Sequence, residues 1–304
     1  MPLIQLNRLA RAFGDVKALT DVTLTLEPGT IGLVGNNGAG KSTLLKILLG
    51  LLEPSEGSGT ILDCDLREAT RRIRTRIGYM PENDAIVPTL KGAEFVALAG
   101  DLYGMPHRDA RRRAHEVLNY VGLGELRYRK LEEYSTGNRQ RLKLAAALVH
   151  DPDLLLLDEP TNGLDPPGRI GMLRLIDDLI AETGKSVILC THLLSDVERL
   201  CRQVVVLEAG SVVFCGEMAD LHHSRPSRYY LRWEGDANAF LIDLATAGMA
   251  IDREDGDAAW ITVADDFRAR QLFRLAGDHA LVIVQLRPEE ESLQDMFFRL
   301  TDRP

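Results

Sequence analysis

No apolar run in this 304-residue chain approaches the roughly 18 residues of a membrane-spanning helix. The chain is therefore expected to have no span of its own. Its opening residues, Met1 to Arg8, lack a basic segment followed by an apolar stretch and a small-residue cleavage site, so they are read as carrying no secretory signal. Excess positive charge is missing too: 36 Lys and Arg stand against 45 Asp and Glu, a net charge of −9, which disfavours sequence-independent attraction to nucleic acid or to an anionic membrane. Cysteine is scarce, and Cys64, Cys190, Cys201 and Cys215 form no C-x-x-C pair and no metal-ligand spacing. They read as reduced core thiols in a reducing compartment. Internal repeats and low-complexity tracts are absent, and with 45% hydrophobic and 27% charged residues the composition is that of an ordinary globular chain of about two domains.

What is present is concentrated at Gly35–Thr43, which fits G-x-x-x-x-G-K-[S/T]. Gly35, Gly38 and Gly40 allow a sharp turn with backbone N–H groups pointing inward. Thr30–Val34 before it reads as a buried strand and Ser42–Leu49 after it as a helix. A loop in that setting holds polyphosphate with the backbone donors of Asn36, Asn37, Gly38, Ala39, Gly40 and Thr43; Lys41 adds a point charge and the Ser42 hydroxyl can ligate magnesium.

Leu3–Leu26 reads as strands, and Pro54–Gly59 as a turn cluster. Phe13 between the first strands is either a core residue or a ring that stacks on a purine. Asp65–Thr75 is Arg-rich and amphipathic, its charges read as a solvated face. Ile77–Met80 is a strand broken at Pro81, with Glu82 just after the break. Helical spacing over Leu90–Leu102, Arg108–Val121 and Gly137–Val149 indicates a helical subdomain at about 89–150. Asp153–Leu157 is a strand apolar on both faces that ends in Asp158 and Glu159; a helix over Arg169–Glu182 and a strand Ser186–Cys190 leading to Thr191 and His192 follow. Strands alternating with helices point to a parallel sheet with its site at the strand C-termini. Gln203–Glu208 and Ser211–Cys215 read as a hairpin. After a linker at His222–Pro226, the order strand (Arg228–Trp233), helix (Asn238–Ala247), strand (Met249–Asp252), strand (Trp260–Val263), helix (Phe267–Ala276), strand (Leu281–Leu286) is the βαββαβ of a ferredoxin-like module, closed by a helix at Glu290–Leu300.

Magnesium triphosphate needs an anchor opposite Ser42, which Asp158 can supply, while Glu159 can polarise the attacking water and His192 can reach the outer phosphate. Together with Tyr134-Ser135-Thr136-Gly137-Asn138 and Gly163-Leu164-Asp165, these residues resemble the motifs of ATP-binding-cassette (ABC) transporter nucleotide-binding subunits, in the family's order, over Leu3 to about Gly216. The resemblance implies an α/β phosphate-loop NTPase of ABC type. Its parts would be a mixed-sheet core with an N-terminal antiparallel β part and a helical subdomain (residues 1–221), plus a small C-terminal α+β domain (227–304). It also implies ATP and Mg2+ as cofactors, Phe13 as the adenine-stacking aromatic, Glu82 as a metal ligand with Ser42 and Asp158, and Glu159 and His192 as catalytic residues. Ser135, Thr136, Gly137, Asn138 and Asp165 would act across a head-to-tail dimer, a homodimer or a pair with another ABC ATPase. The implied function is ATP hydrolysis that powers export through a membrane permease on a separate chain, from the cytoplasmic face of the cell membrane and with no nucleic-acid partner.

Two departures stand out: Glu82 replaces the family's Gln, and Thr136 its first signature glycine. Both resemble variants of the exporter branch, as does the ending Glu291–Thr301, so an active enzyme is expected. The alternative, a soluble ABC ATPase acting on ribosomes or nucleic acid, would call for two cassettes or a long coiled-coil insertion. A phosphate-loop kinase would leave the Ser135 and Asp165 motifs unexplained.

Overall fold

A computed structural model describes residues 1–222, 228–264 and 267–288. The expected closing helix at Glu290–Leu300, and the linker beyond His222, lie outside the described residues. The chain divides into two compact units, with the boundary between Met218 and Ala219.

In the first unit the elements run β1 (Ile4–Phe13), β2 (Val16–Leu26), β3 (Thr30–Gly35), α1 (Lys41–Leu48), β4 (Glu56–Ile61), β5 (Cys64–Asp65), α2 (Thr70–Arg76) and β6 (Ile77–Met80). The helical part follows: α3 (Gly92–Leu102), α4 (His107–Tyr120), two short 3-10 turns and α5 (Thr136–Leu148). Then come β7 (Leu154–Asp158), α6 (Pro166–Thr183), β8 (Ser186–Cys190), α7 (Leu194–Leu200), β9 (Gln203–Glu208) and β10 (Ser211–Glu217), after which α8 (Met218–His222) spans the boundary. The central sheet has the order β10-β9-β3-β8-β7-β6. All its pairings are parallel except β10 with β9. Every residue of β3, β7 and β8 is buried, which is why these strands are unbroken apolar runs rather than alternating ones. Parallel pairing puts Gly35, Met80, Asp158 and Cys190 at one edge, where strands end and polar groups meet solvent.

A separate antiparallel sheet, β2-β1-β4-β5, covers α1. Leu44, Leu45, Ile47 and Leu48 of that helix share one core with Leu6, Leu24, Leu26 and Ile31. This packing anchors the helix that begins at Lys41.

The structure departs from the sequence reading at three places here. Glu56–Ile61 is a strand paired with β1, and not a turn cluster. Its glycines serve a close approach: a Cβ on Gly57 would fall 2.3 Å from the Arg8 carbonyl oxygen. The Arg-rich stretch is not merely a solvated face. Arg67 donates to Pro54 and Gly57 carbonyls, Arg74 to Gly50 and Arg76 to Leu62, binding the segment to the core. Finally, α7 follows His192 where no element was expected.

The second unit, among described residues, runs β11 (Arg228–Glu234), α9 (Asn238–Thr246), β12 (Ala250–Asp255), β13 (Ala258–Thr262), α10 (Ala269–Asp278) and β14 (Val282–Pro288). Its antiparallel sheet has the order β12-β13-β11-β14. Leu231, Trp233, Phe240, Leu244, Ile261 and Leu272 form its core. This is the ferredoxin-like arrangement expected from the element order.

Candidate nucleotide-binding site

The loop between β3 and α1 reverses direction through Gly38 (φ 85°) and Gly40 (φ 103°), both in the left-handed region. A side chain at Gly40 would collide with the Ala18 carbonyl, 2.6 Å from its Cβ, and one at Gly35 with the Leu207 carbonyl at 2.4 Å. The glycines thus bring the loop against β2 and β9. The Ala39 N–H donates to Asn36 O at 3.1 Å, and Ala39 itself is buried in the core. Lys41 sits across the loop, its ammonium donating to Gly35 O at 2.6 Å and Asn36 O at 3.1 Å. It is the first residue of α1, whose N-cap is Gly40 and whose first N–H groups have no intrahelical partner, so loop and helix terminus together form an anion-binding cradle.

Around this cradle is a cavity of about 460 Å³ lined by Asn36, Asn37, Gly38, Gly40, Lys41, Ser42 and Thr43, with Glu82, Asp158, Glu159 and His192 opposite. Asp158, the last residue of β7, is 6% exposed. Burial pushes its carboxyl above the usual range; the negative charges of Glu82 and Glu159 add to this, while bonds from Cys190 and Tyr79 oppose it. The Tyr79 hydroxyl donates to Asp158 Oδ2 at 3.4 Å, and burial together with that carboxylate drives the phenol pKa up. Glu159 adopts a left-handed conformation (φ 49°) that turns its side chain back towards β8. Glu159 Oε1 accepts the His192 N–H at 2.9 Å and lies 2.8 Å from His192 Nδ1. Oε2 accepts the Thr191 hydroxyl at 3.0 Å. A carboxylate so held has a fixed direction.

Three carboxylates against a single lysine leave this cavity electronegative, a balance that a divalent cation would offset. Among described residues no three His, Cys, Asp or Glu side chains converge as a preformed metal cage. Ser42, Glu82 and Asp158 nonetheless offer hard oxygen donors beside a phosphate cradle. That suits Mg2+, which binds through one or two carboxylates plus substrate phosphates.

Other sequence-singled residues lie elsewhere. Phe13 does not line the cavity: 45% exposed at the end of β1, its ring lies under the Arg11 guanidinium at 4.7 Å. Ser135, Thr136, Gly137 and Asn138 form the start of α5 and do not line it either. Ser135 caps that helix, accepting the Asn138 N–H at 3.4 Å. Asp165 likewise caps α6, accepting from Gly168 N at 3.1 Å. These two helix starts are neighbours. A Cβ on Gly163 (φ 72°) would lie 3.2 Å from Thr136 Cγ2, so the extra methyl of Thr136 packs towards the Gly163 turn. Gln140 Nε2 donates to Asn162 O at 2.9 Å and joins the same two segments.

The sequence reading missed Ala18 and Leu194, which line the cavity, and Tyr79 and Thr191, which hold its carboxylates. Thr191 stood beside His192 and could have been noticed; the others have no signature in residue type.

Fold and cavity together define a phosphate-loop nucleoside triphosphatase with a helical insertion. The ABC transporter family model matches residues 19–162. Over its full length the chain is 31% identical to the linearmycin resistance ATP-binding protein LnrL of Bacillus subtilis, covering 99% of both. It is 32% identical to the daunorubicin/doxorubicin resistance ATP-binding protein DrrA of Streptomyces peucetius, covering 99% of this chain and 93% of that one. Among solved structures, a dimeric post-hydrolysis ATP-binding cassette bound to ADP and Pi superposes with a TM-score of 0.63 at 27% identity, covering 71% of this chain and 98% of that one. The chain belongs to the ATP-binding proteins of ABC transporters and is an ATPase that powers transport. Nothing in these likenesses favours the ribosome or nucleic-acid alternative. No helix among the described residues is long and apolar enough to cross a membrane.

Proposed function

We propose that this chain drives export through a permease on a separate polypeptide, docked at the inner face of the cell membrane, by closing and opening a head-to-tail dimer around ATP. One observation carries the reading: Gly35–Thr43, Asp158, Glu159 and His192 share a cavity, while the capped helix starts at Ser135 and Asp165 stay outside it. A second copy, or a paired relative, would bring its own Ser135–Asn138 helix start over the triphosphate. There, free N–H groups and the helix dipole favour an outer phosphate. The relatives named for drug resistance and Nod factor export support export as the direction.

In this reading the loop N–H groups and Lys41 hold the phosphates, and the exposed Phe13 ring is the surface for the adenine. Ser42, Asp158 and Glu82 would hold Mg2+, which would supply charge neutralisation at the phosphate oxygens. Glu159 orients the attacking water and accepts its proton as oxygen bonds to the outer phosphorus and the bond to the leaving diphosphate breaks. His192, bonded to Glu159 through Nδ1, keeps that carboxylate aimed and presents Nε2 to the outer phosphate. Product charge then separates the dimer.

The test is MgATP hydrolysis by the purified chain and by its complex with the permease, alongside Glu159→Gln. Turnover in either setting, abolished by Glu159→Gln with ATP retained, is expected. Absence of turnover in both settings overturns the proposal.

A further inference from the structure

Lys143, in the helical subdomain, is 3% exposed, which is unusual for a lysine. It lies on α5, two turns beyond Ser135. Its ammonium donates to Pro81 O and to Glu82 O, each at 2.9 Å, and stands 3.9 Å from Asp84 Oδ1. Arg139, one turn earlier on α5, bonds Asp84 Oδ2 at 3.2 Å. Burial pushes the Lys143 ammonium pKa down, against the pull of Asp84, Glu82 and Asp158. A buried cation carries a desolvation cost, and here two of its donors are spent on the backbone just past the end of β6. That backbone carries Glu82, whose side chain lines the nucleotide cavity.

We propose that Lys143 is a positioning residue for the hydrolytic site: it fixes the Pro81–Glu82 backbone so that the Glu82 carboxylate stands where α5 dictates. Because α5 begins at the Ser135–Asn138 end, a displacement of that helix is passed to Glu82 through two short hydrogen bonds and not through a slack loop. The inference rests on the reading of Glu82 as a magnesium ligand given above.

The experiment uses the full chain with Lys143→Met, Lys143→Arg, Glu82→Ala and the Glu82→Ala/Lys143→Met double variant, each also made in the Glu159→Gln background. Two quantities are read: the Mg2+ concentration for half-maximal ATP retention in that background, and kcat with KM for ATP at saturating magnesium. Lys143→Met is expected to raise the magnesium requirement about tenfold and lower kcat to a similar degree, as loss of an outer partner of a metal ligand does, with KM nearly unchanged. Lys143→Arg, which keeps two donors, recovers most of both. On Glu82→Ala, Lys143→Met adds less than about twofold, because the two act as a unit. Multiplicative penalties in the double variant, or an Arg variant no better than Met, overturn the proposal. Glu82→Ala with a wild-type magnesium requirement overturns the ligand reading beneath it, and an inactive wild type overturns the proposed function itself.

Discussion

His150, just past α5, supplies a pH dependence whose size follows from its surroundings. Its ring stacks on Tyr103 with centroids 3.4 Å apart and planes within 11°. Nε2 lies 3.2 Å from Ile77 O, so the ring proton belongs on Nε2, and Nδ1 is buried without a partner. A second proton would put an unsatisfied N–H and a charge into that pocket. Burial accordingly lowers the pKa from 6.5 to about 4, with the Ile77 carbonyl and Asp151 opposing the shift. Above pH 6.5 neither folded nor unfolded chain is protonated here, and the residue contributes no pH dependence. Between 6.5 and about 4 the unfolded chain takes up a proton that the folded chain refuses, so stability falls as pH falls. Below about 4 both are protonated and the loss is complete. A shift of this size corresponds to about 3 kcal/mol as an upper value. His150→Phe keeps the stack on Tyr103 but cannot titrate. In denaturant unfolding at a series of pH values, the wild-type stability should drop more steeply than that of His150→Phe between pH 6.5 and 4, the difference between the two changing by up to about 3 kcal/mol. Parallel curves across that window would refute the assignment of a neutral, buried His150.

Asp196, 1% exposed, accepts the Thr161 hydroxyl at 2.8 Å and pairs with Arg169 at 2.6 Å; Asp196→Ala should cost about 2–4 kcal/mol in unfolding stability, since both partners lose their acceptor. Gly40→Ala should weaken ATP binding by at least about tenfold in equilibrium titration while the fold survives, because a Cβ there meets the Ala18 carbonyl at 2.6 Å and φ is 103°. Only a displaced phosphate loop relieves that clash.

The phosphate loop and the buried strands were legible because few residue types can do their work. Gly38 and Gly40 need positive φ, Lys41 and Ser42 sit at a fixed spacing, and β7 is an all-buried leucine run ending in acids. The holding of Glu159 was not legible, since it depends on the register that sets Asp158 opposite Cys190 and so brings Thr191 and His192 within reach. Glycine and serine in β4 imitate a turn when their purpose is close packing on β1. Arg76 and Lys143 look like surface charges in a helical pattern, and only the folded chain shows that carbonyls at Leu62, Pro81 and Glu82 claim their donors. The helix starts at Ser135 and Asp165 could be recognised as caps, yet their place outside the cavity is a fact of three dimensions.

That separation makes the association state of the ATP-loaded chain the most direct measurement. In sedimentation of the full-length Glu159→Gln variant with and without MgATP, the account predicts a monomer that becomes a dimer when ATP is added, with one ATP retained per chain. A variant that binds ATP in Gly35–Thr43 yet remains monomeric would contradict a site completed by a second copy.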